Sequence, residues 1–257
     1  MINIHPTAIV SKKAKLADGC FVGPYTIIED PVIIGEGTRI LNHCTIKGNT
    51  TIGARCNIFT GAVIGSIPQD LKYKGEESYL SIGDDNIIRE FVTINLSTEK
   101  NTKTEIGNNN LLMAYSHVAH DCKVGNGCVI ANNGTLAGHV TLEDKAVIGG
   151  LVAIHQFVRI GTLSIIGGCS KVVQDIPPYS TCDGHPAKVF GINIVGLKRA
   201  DFPKETITVL KHAFKILFFS QISIPHALEK IEKEITGCKE VSHLVDFVKA
   251  SERGITR

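Results

Sequence analysis

The chain has 257 residues, of which 20% are charged, and its formal net charge is only +2. So small a net charge gives no general electrostatic support for binding nucleic acid. No apolar run approaches the ~18 residues of a membrane-spanning helix, and no charged segment followed by an apolar run marks a secretory signal. We therefore expect a cytoplasmic protein without an integral membrane segment.

From Val10 to Val172, every sixth residue is aliphatic at 25 of 28 positions. A helix repeats near 3.6 residues and a simple strand at 2, so neither sustains this period. A period of six is typical of a β-helix with three short flat sides, in which each hexad buries one aliphatic side chain. We therefore predict a mainly β chain, with a triangular prism over residues 1–190.

Two further hexad positions agree with a thin prism. Glycine often follows the aliphatic residue, where we expect side-chain bulk or a negative φ to be disfavoured. A small residue usually stands four positions after the aliphatic one. Five of the eight cysteines occupy this small position, where we expect buried packing residues rather than ligands.

Asp70, Glu76 and Lys100 interrupt the aliphatic register. Burying an unpaired charge costs more than the roughly 1.5–3 kcal/mol that burying an aliphatic side chain contributes. We therefore predict loops that leave the prism around 66–80 and 96–104, after which the register resumes in phase.

Histidines crowd one stretch of the repeat: His117, His120, His139 and His155. Residues three hexads apart should stack on successive coils, about 4.8 Å apart. His120, Gly138 and Gln156 then form one column, with Asp121 and His139 in the next. An imidazole beside a carboxylate suits acid–base catalysis. The alternative is a set of solvated histidines at turns.

The repeat ends near Val172, and two prolines within 175–180 mark the exit from the prism because proline cannot donate to a β-ladder. A helical period follows, with three apolar stripes: Ile207, Leu210, Phe214, Leu217 and Phe218; Leu228, Ile231 and Ile235 after Pro225; and Leu244, Val245 and Val248. We predict a C-terminal α-helical domain over residues 191–257. Prisms with partly apolar flat sides tend to pack on copies of themselves, so we expect a homotrimer.

Several segments resemble the acyl-carrier-protein-dependent UDP-N-acetylglucosamine O-acyltransferase family: Ser-His-Val-Ala-His-Asp-Cys at 116–122, Leu-Ala-Gly-His at 136–139, Ile-His-Gln-Phe at 154–157, Pro-Gln-Asp-Leu-Lys-Tyr at 68–73 and Gly-Ile-Asn-Ile-Val-Gly-Leu-Lys-Arg at 191–199. The resemblance runs from end to end and implies a left-handed coil. It also implies transfer of a 3-hydroxyacyl group from acyl carrier protein to the glucosamine 3-hydroxyl of UDP-N-acetylglucosamine, the first step of lipid A synthesis. No metal or organic cofactor is implied beyond the carrier's phosphopantetheine.

Carried over residue by residue, the resemblance makes His120 the general base and Asp121 the group that orients it. The backbone N–H of Gly138 would stabilise the oxyanion. Gly150 and Gly168 would line an acyl-chain groove between subunits, and Gly168 would leave room for about fourteen carbons, although a structural glycine at a tight turn is an equal explanation. The substrate-binding residues would be Asp70, Lys72, His117, His139, His155, Gln156, Asn193 and Arg199.

Other functions are compatible with the same repeat. Within the fold, the alternatives are the later lipid A N-acyltransferase and other hexapeptide acyltransferases. A γ-type carbonic anhydrase-like protein, which holds zinc between histidines of adjacent prisms, belongs to another class. A non-catalytic scaffold is a third possibility, which the stacking of His120 and Asp121 under Gly138 disfavours.

Overall fold

The structure is a computed structural model that describes residues 1–257. Its strands form three sheets of eleven, nine and eight strands, and consecutive strands along most of the chain belong to different sheets. Each coil therefore adds one strand to each face of a prism. The chain is a left-handed parallel β-helix followed by a small helical part, and the predicted fold class is confirmed.

The strands are short because each face of the prism is about one hexad wide. The eleven-stranded sheet contains Asn3–Ile4, Phe21–Val22, Arg39–Ile40, Asn57–Ile58, Ile87–Ile88, Leu111–Leu112, Val129–Ile130, Val147–Ile148, Ile165–Ile166, Ser180–Gly184 and Ala187–Ile192. The nine-stranded sheet contains Ile9–Val10, Ile27–Ile28, Thr45–Ile46, Val63–Ser66, Thr93–Asn95, His117–Val118, Thr135–Leu136, Ala153–Ile154 and Lys171–Val172. The eight-stranded sheet contains Lys15–Leu16, Ile33–Ile34, Asn49–Ile52, Tyr79–Ile82, Lys103–Ile106, Lys123–Val124, Thr141–Leu142 and Arg159–Ile160.

The strand register follows the spacing of three hexads. His117 pairs with Thr135, and Thr135 pairs with Ala153, so successive partners are eighteen residues apart. The aliphatic positions consequently stack in columns inside the prism and are buried from Val22 onward. Val10 and Leu16 stay partly exposed because no complete coil lies beneath the first one.

Glycine follows the aliphatic residue because the next coil lies so close. A Cβ on Gly35 would lie 2.5 Å from the carbonyl carbon of Gly53. The expectation about side-chain bulk is therefore right, whereas the expectation about φ is wrong for all of these glycines except Gly65, whose φ is +81°. The five cysteines at the small position are buried and unpaired, and burial raises the pKa of the Cys44 thiol to about 11.

Two loops leave the prism where the sequence carries charges at aliphatic positions. They span residues 67–78 and 96–102, and contain Asp70, Glu76 and Lys100. Strand partners across the two loops are thirty and twenty-four residues apart. These separations exceed eighteen by whole hexads, so the aliphatic register resumes in phase.

Four helices follow the prism: α1 (Ile194–Arg199), α2 (Lys204–Phe219), α3 (Ile224–Glu234) and α4 (Lys239–Lys249). The strand Ala187–Ile192 crosses the boundary predicted at residue 190, because the last two strands extend the eleven-stranded sheet as an antiparallel hairpin after the repeat has ended. None of the four helices combines the length and hydropathy needed to cross a membrane.

Helix α4 is attached to the prism through polar contacts. The imidazole Nε2 of His243 lies 3.0 Å from a carboxylate oxygen of Glu143, which follows a strand of the eight-stranded sheet. The other ring nitrogen lies 3.0 Å from the hydroxyl of Tyr179. The guanidinium of Arg159 stacks over the ring of Phe247 at 4.4 Å. The helical part is thus held to the prism at defined points.

Candidate active site

The predicted column of His120, Gly138 and Gln156 exists on one edge of the prism. The N–H of His139 donates to the carbonyl of His120 at 3.0 Å, and the N–H of Phe157 donates to the carbonyl of Gly138 at 3.1 Å. His120, Gly138 and Gln156 therefore lie one above another on three successive coils.

His120 and Asp121 form a hydrogen-bonded pair. Nδ1 of His120 lies 2.8 Å from Oδ2 of Asp121, and their side chains are only 13% and 11% exposed. Since Nδ1 is engaged by the carboxylate, Nε2 is the nitrogen left to act on another molecule. The arrangement is that of a histidine base oriented by a carboxylate.

The imidazole of His120 lies directly against the backbone of Gly138. A Cβ at Gly138 would lie 2.4 Å from Cε1 and 2.6 Å from Nε2 of that ring. Gly138 is buried, and its N–H makes no hydrogen bond within the chain. This leaves a backbone donor without a partner next to the ring of His120, and an oxyanion site needs a donor of this kind.

The carboxylate of Asp121 is held as an anion. Burial would raise its pKa, but hydrogen bonds from Ser97, Thr98 and His120 outweigh burial, and the pKa lies below its ordinary value of 3.8. The hydroxyl of Thr98 donates to Oδ2 at 2.6 Å, and that of Ser97 donates to Oδ1. A carboxylate kept ionised can stabilise a positive charge on the neighbouring imidazole.

A cavity of about 470 Å³ lies between the two loops and the edge of the prism that carries His120, His139 and Gln156. Loop 67–78 brings Asp70 and Lys72 to the same cavity as His120, His139 and Gln156. The cavity thus joins five of the predicted site residues with residues that the sequence analysis did not single out as ligands: Tyr73, Glu76, Thr98, Glu99, Lys100 and Phe157.

His139 lies at the centre of this edge. Its ring stacks on Phe157 with centroids 4.4 Å apart and meets His120 edge-on at 5.3 Å. Ligand atoms of His120, Asp121 and His139 lie within 4.8 Å of one another, so these three residues are the group that could hold a metal ion.

His117 lies on the neighbouring face rather than in the cavity. Its Nδ1 is 2.7 Å from the hydroxyl of Thr93. Burial, and secondarily the charge of His120, lowers the pKa of His117 below its ordinary value of 6.5. His155 is exposed, and its Nδ1 lies 3.1 Å from the carbonyl oxygen of Gln156.

Asn193 and Arg199 are not brought to the cavity within one chain. Asn193 is buried and caps α1, where its side chain accepts from the N–H of Gly196 at 2.9 Å and donates to the carbonyl of Leu163 at 2.8 Å. Arg199 is exposed at the last turn of α1. The same helix exposes Val195, at 59%.

Gly150 and Gly168 stack on a different edge of the prism. A Cβ on Gly168 would lie 3.2 Å from the carbonyl oxygen of Gly150, which in turn stacks over Asn132. Neither glycine has a left-handed φ. The backbone conformation therefore does not require glycine at these two positions, whereas the 3.2 Å approach to the Gly150 carbonyl is closer than a Cβ usually comes, so both explanations of Gly168 stay open.

Ser97 and Thr98 are the residues near the reactive pair that sequence reasoning missed. The signal present in the sequence was indirect, since Ser97 and Thr98 lie three and two residues before Lys100, which breaks the hexad. A repeat predicts which residues stack, but it gives no position for side chains in a loop that leaves the repeat.

Family models match both parts of the chain. A hexapeptide-repeat model of bacterial transferases matches residues 13–48 and 103–138, and a model described as "Udp N-acetylglucosamine O-acyltransferase; Domain 2" matches residues 175–256. A relative from Thermodesulfovibrio yellowstonii, named acyl-(acyl-carrier-protein)–UDP-N-acetylglucosamine O-acyltransferase, is 52% identical over 258 residues and covers 100% of both chains. The chain belongs to the UDP-N-acetylglucosamine O-acyltransferase family. It is therefore an acyltransferase.

Solved structures of this O-acyltransferase family have the same fold. LpxA from Acinetobacter baumannii is 43% identical, covers 99% of each chain and superposes with a TM-score of 0.95. LpxA from Bacteroides fragilis, described as a UDP-N-acetylglucosamine acyltransferase, is 42% identical, covers 99% of this chain and 100% of that one, and has a TM-score of 0.96. These comparisons favour the O-acyltransferase over the γ-type carbonic anhydrase alternative.

Proposed function

We propose that the chain transfers a 3-hydroxyacyl group from acyl carrier protein to the glucosamine 3-hydroxyl of UDP-N-acetylglucosamine, the first step of lipid A synthesis. The observation that carries the proposal is the His120–Asp121 pair. It lies beside the free N–H of Gly138, at a cavity to which Asp70 and Lys72 also contribute. These are the parts that an acyl transfer to a sugar hydroxyl needs.

In the proposed reaction, Nε2 of His120 takes the proton of the sugar 3-hydroxyl as its oxygen attacks the thioester carbonyl. Asp121 stays ionised and stabilises the imidazolium. The N–H of Gly138 stabilises the tetrahedral oxyanion, an interaction whose loss costs roughly 2.7–4 kcal/mol in other enzymes. Collapse of the intermediate breaks the C–S bond, and the imidazolium returns its proton to the departing thiolate of phosphopantetheine.

The remaining predicted ligands fit a site completed by a second subunit. His117, His155, Asn193 and Arg199 contribute nothing to the cavity of a single chain, whereas they stay within the segments that resemble the family. An arginine such as Arg199 suits a nucleotide diphosphate through its planar guanidinium. Gly150 and Gly168 would border the acyl chain in the groove between subunits.

We propose a homotrimer because one face of the prism is apolar. On the outer side of the eleven-stranded sheet, apolar side chains pair in an unbroken column over five coils, each directly beside the next: Ile87, Leu111, Val129, Val147 and Ile165. A continuous apolar face of this kind is typical of an interface between subunits.

The same proposal needs no bound metal or organic cofactor, since general base, oxyanion donor and nucleophile are all present in the chain and its substrates. Metal analysis of the purified protein tests this point, and stoichiometric zinc would contradict it. A cytoplasmic location is supported by eight unpaired cysteines, a pattern that suits a reducing compartment.

Activity of the purified protein with UDP-N-acetylglucosamine and a panel of 3-hydroxyacyl carrier proteins tests the proposal. In the His120→Ala variant we expect kcat to fall by about 10²–10⁴, the contribution usual for a positioned base. His5→Ala, which removes an exposed histidine near the N-terminus, is the matched control and should keep full activity. Full activity of His120→Ala would exclude the proposed base.

A further inference from the structure

Residues of the second loop hold the carboxylate of Asp121 from outside the prism. The hydroxyl of Thr98 donates to Oδ2 at 2.6 Å, and its N–H points to the same carboxylate at 3.3 Å. The hydroxyl of Ser97 engages Oδ1. On the prism side, the N–H of Asp121 donates to the hydroxyl of Thr104 at 2.8 Å. Both carboxylate oxygens are thus fixed by loop residues.

This loop is itself tied to the loop that carries Asp70 and Lys72. The N–H of Asn101 donates to the carbonyl of Glu77 at 2.9 Å. The buried hydroxyl of Ser78 donates to the carbonyl of Ser97. Loop 67–78 and the loop that holds Asp121 therefore form one hydrogen-bonded unit.

We propose that Ser97 and Thr98 are positioning residues, which fix the Asp121 carboxylate in the orientation that holds Nδ1–H of His120. With Nδ1 occupied, the lone pair of Nε2 faces the cavity, as a general base requires. The inference rests on the proposed function, because it deepens the role of the same histidine. It assigns to a loop outside the repeat the selection of the active tautomer.

Other ionisable groups surround the carboxylate of Asp121. Nε2 of His139 lies 3.6 Å from Oδ2. On the far side of Asp121, a second cavity is lined by charged side chains that face the same carboxylate from the loop and from the eight-stranded sheet: Glu99, Lys103, Glu105 and Lys123. Their signs are balanced, so the direct donors from Ser97 and Thr98 dominate the position of the carboxylate.

The Thr98→Val variant tests the proposal, because it keeps the shape of the side chain and removes the hydroxyl donor. We expect kcat to fall about tenfold, the value of one hydrogen bond to a charged group, with little change in the KM for UDP-N-acetylglucosamine. With one donor gone, the carboxylate is no longer held in place and stabilises the imidazolium less, so the acid limb of the pH profile of kcat should move to lower pH. Thr98→Ser keeps the hydroxyl and should restore both values.

Two controls separate positioning from a general structural effect. Thr60→Val removes a similar hydrogen bond, 2.7 Å to the side chain of Asn42, away from the site, and should leave kcat and the pH profile unchanged. In an Asp121→Asn background, Thr98→Val should cause no further loss. An unchanged pH limb in Thr98→Val, or a full additional loss in the Asp121→Asn background, would overturn the proposal.

NMR of the histidine rings tests the positioning role without any substrate. In ¹⁵N NMR of the histidine rings, the neutral form of His120 should carry its proton on Nδ1 in the wild-type protein and show a mixture of tautomers in Thr98→Val. An identical spectrum in the two proteins would refute the positioning role even if the wild-type protein acts on another sugar nucleotide. An inactive wild-type protein with this NMR difference would instead refute the substrate assignment alone.

Discussion

Position 138 requires glycine because of the side chain of a residue one coil earlier, and not because of its own backbone conformation. Its φ lies outside the left-handed region, yet a Cβ would meet the ring of His120 at 2.4 Å. The requirement for glycine therefore comes from the imidazole of His120. This contrasts with Gly35, whose missing side chain makes room for the backbone of the next coil.

Gly138→Ala should inactivate the protein without unfolding it. The added methyl must displace the ring of His120, because ring atoms lie within 2.6 Å of its position. We expect kcat to fall by about 10²-fold or more, the range for loss of a positioned base, while the melting temperature stays close to that of the wild type. Wild-type kcat in this variant would show that the ring position in the structure is irrelevant to catalysis.

Gly168→Met should shorten the preferred acyl chain. Gly168 is exposed, has an ordinary φ and stacks on Gly150, so a long side chain there would extend into the proposed groove. A panel of 3-hydroxyacyl carrier proteins of different chain length gives the measurement, as the ratio of kcat/KM values. The same chain preference in both proteins would contradict the position of the groove.

At the scale of elements, the sequence predicts the prism, its stacking and both loops. The period of six is read directly from the sequence, and three periods make one coil. It therefore places His120 beside Gly138, eighteen residues later, without any knowledge of tertiary structure. The loops follow from three charges at aliphatic positions. The contacts of Ser97 and Thr98 with Asp121 do not follow, because two non-repeating segments decide each other's conformation.

The attachment of α4 to the prism should depend on pH. A hydrogen bond from the ring of His243 to the carboxylate of Glu143 raises the pKa of His243 above 6.5 against the opposing effect of burial. Glu143 is buried, which would raise its pKa, but its hydrogen bonds with His243 and Thr162 lower the pKa below 4.5. The stabilisation from His243 is fully present below 6.5 and lost as pH rises through its folded pKa, whereas that from Glu143 is lost as pH falls through its lowered pKa.

Thermal unfolding of wild type and His243→Gln across pH measures this attachment. We expect the variant to melt about 2–4 °C lower near pH 6, the size of effect of about 1 kcal/mol in a chain of this length. The difference should shrink as the pH rises above the folded pKa of His243. His212→Gln, which removes a more exposed contact with Glu234, is the matched control. A difference that grows with pH would show that another contact dominates.

At the scale of the whole molecule, a single chain leaves Asn193 and Arg199 outside the cavity and an apolar column on its outer surface. In the proposed homotrimer, the positions of Asn193 and Arg199 relative to a cavity would depend on neighbouring copies, which neither the hexad period nor the fold of one chain defines. The apolar column on the eleven-stranded sheet is the surface on which such copies would meet. The outer face of the eight-stranded sheet is far more polar.

The double variant Val129→Glu and Val147→Glu tests this interface. Both valines face outward and are directly paired, so two carboxylates there would repel their counterparts and lose apolar contact. We expect a trimer to dissociate into monomers in analytical ultracentrifugation, with loss of acyl transfer. Thr51→Glu on the exposed face of the eight-stranded sheet should leave the assembly intact. A monomeric wild-type protein would contradict the trimer.

The lengths of the two excursions from the prism show how such a chain can change in evolution. Partner separations of thirty and twenty-four differ from eighteen by twelve and six. Within a face of the prism the period of six has to be kept, because a different length there would move the later aliphatic residues away from their interior positions. Segments that leave the prism, as these two do, can therefore bring new side chains to its edge while the coils on either side keep their stacking.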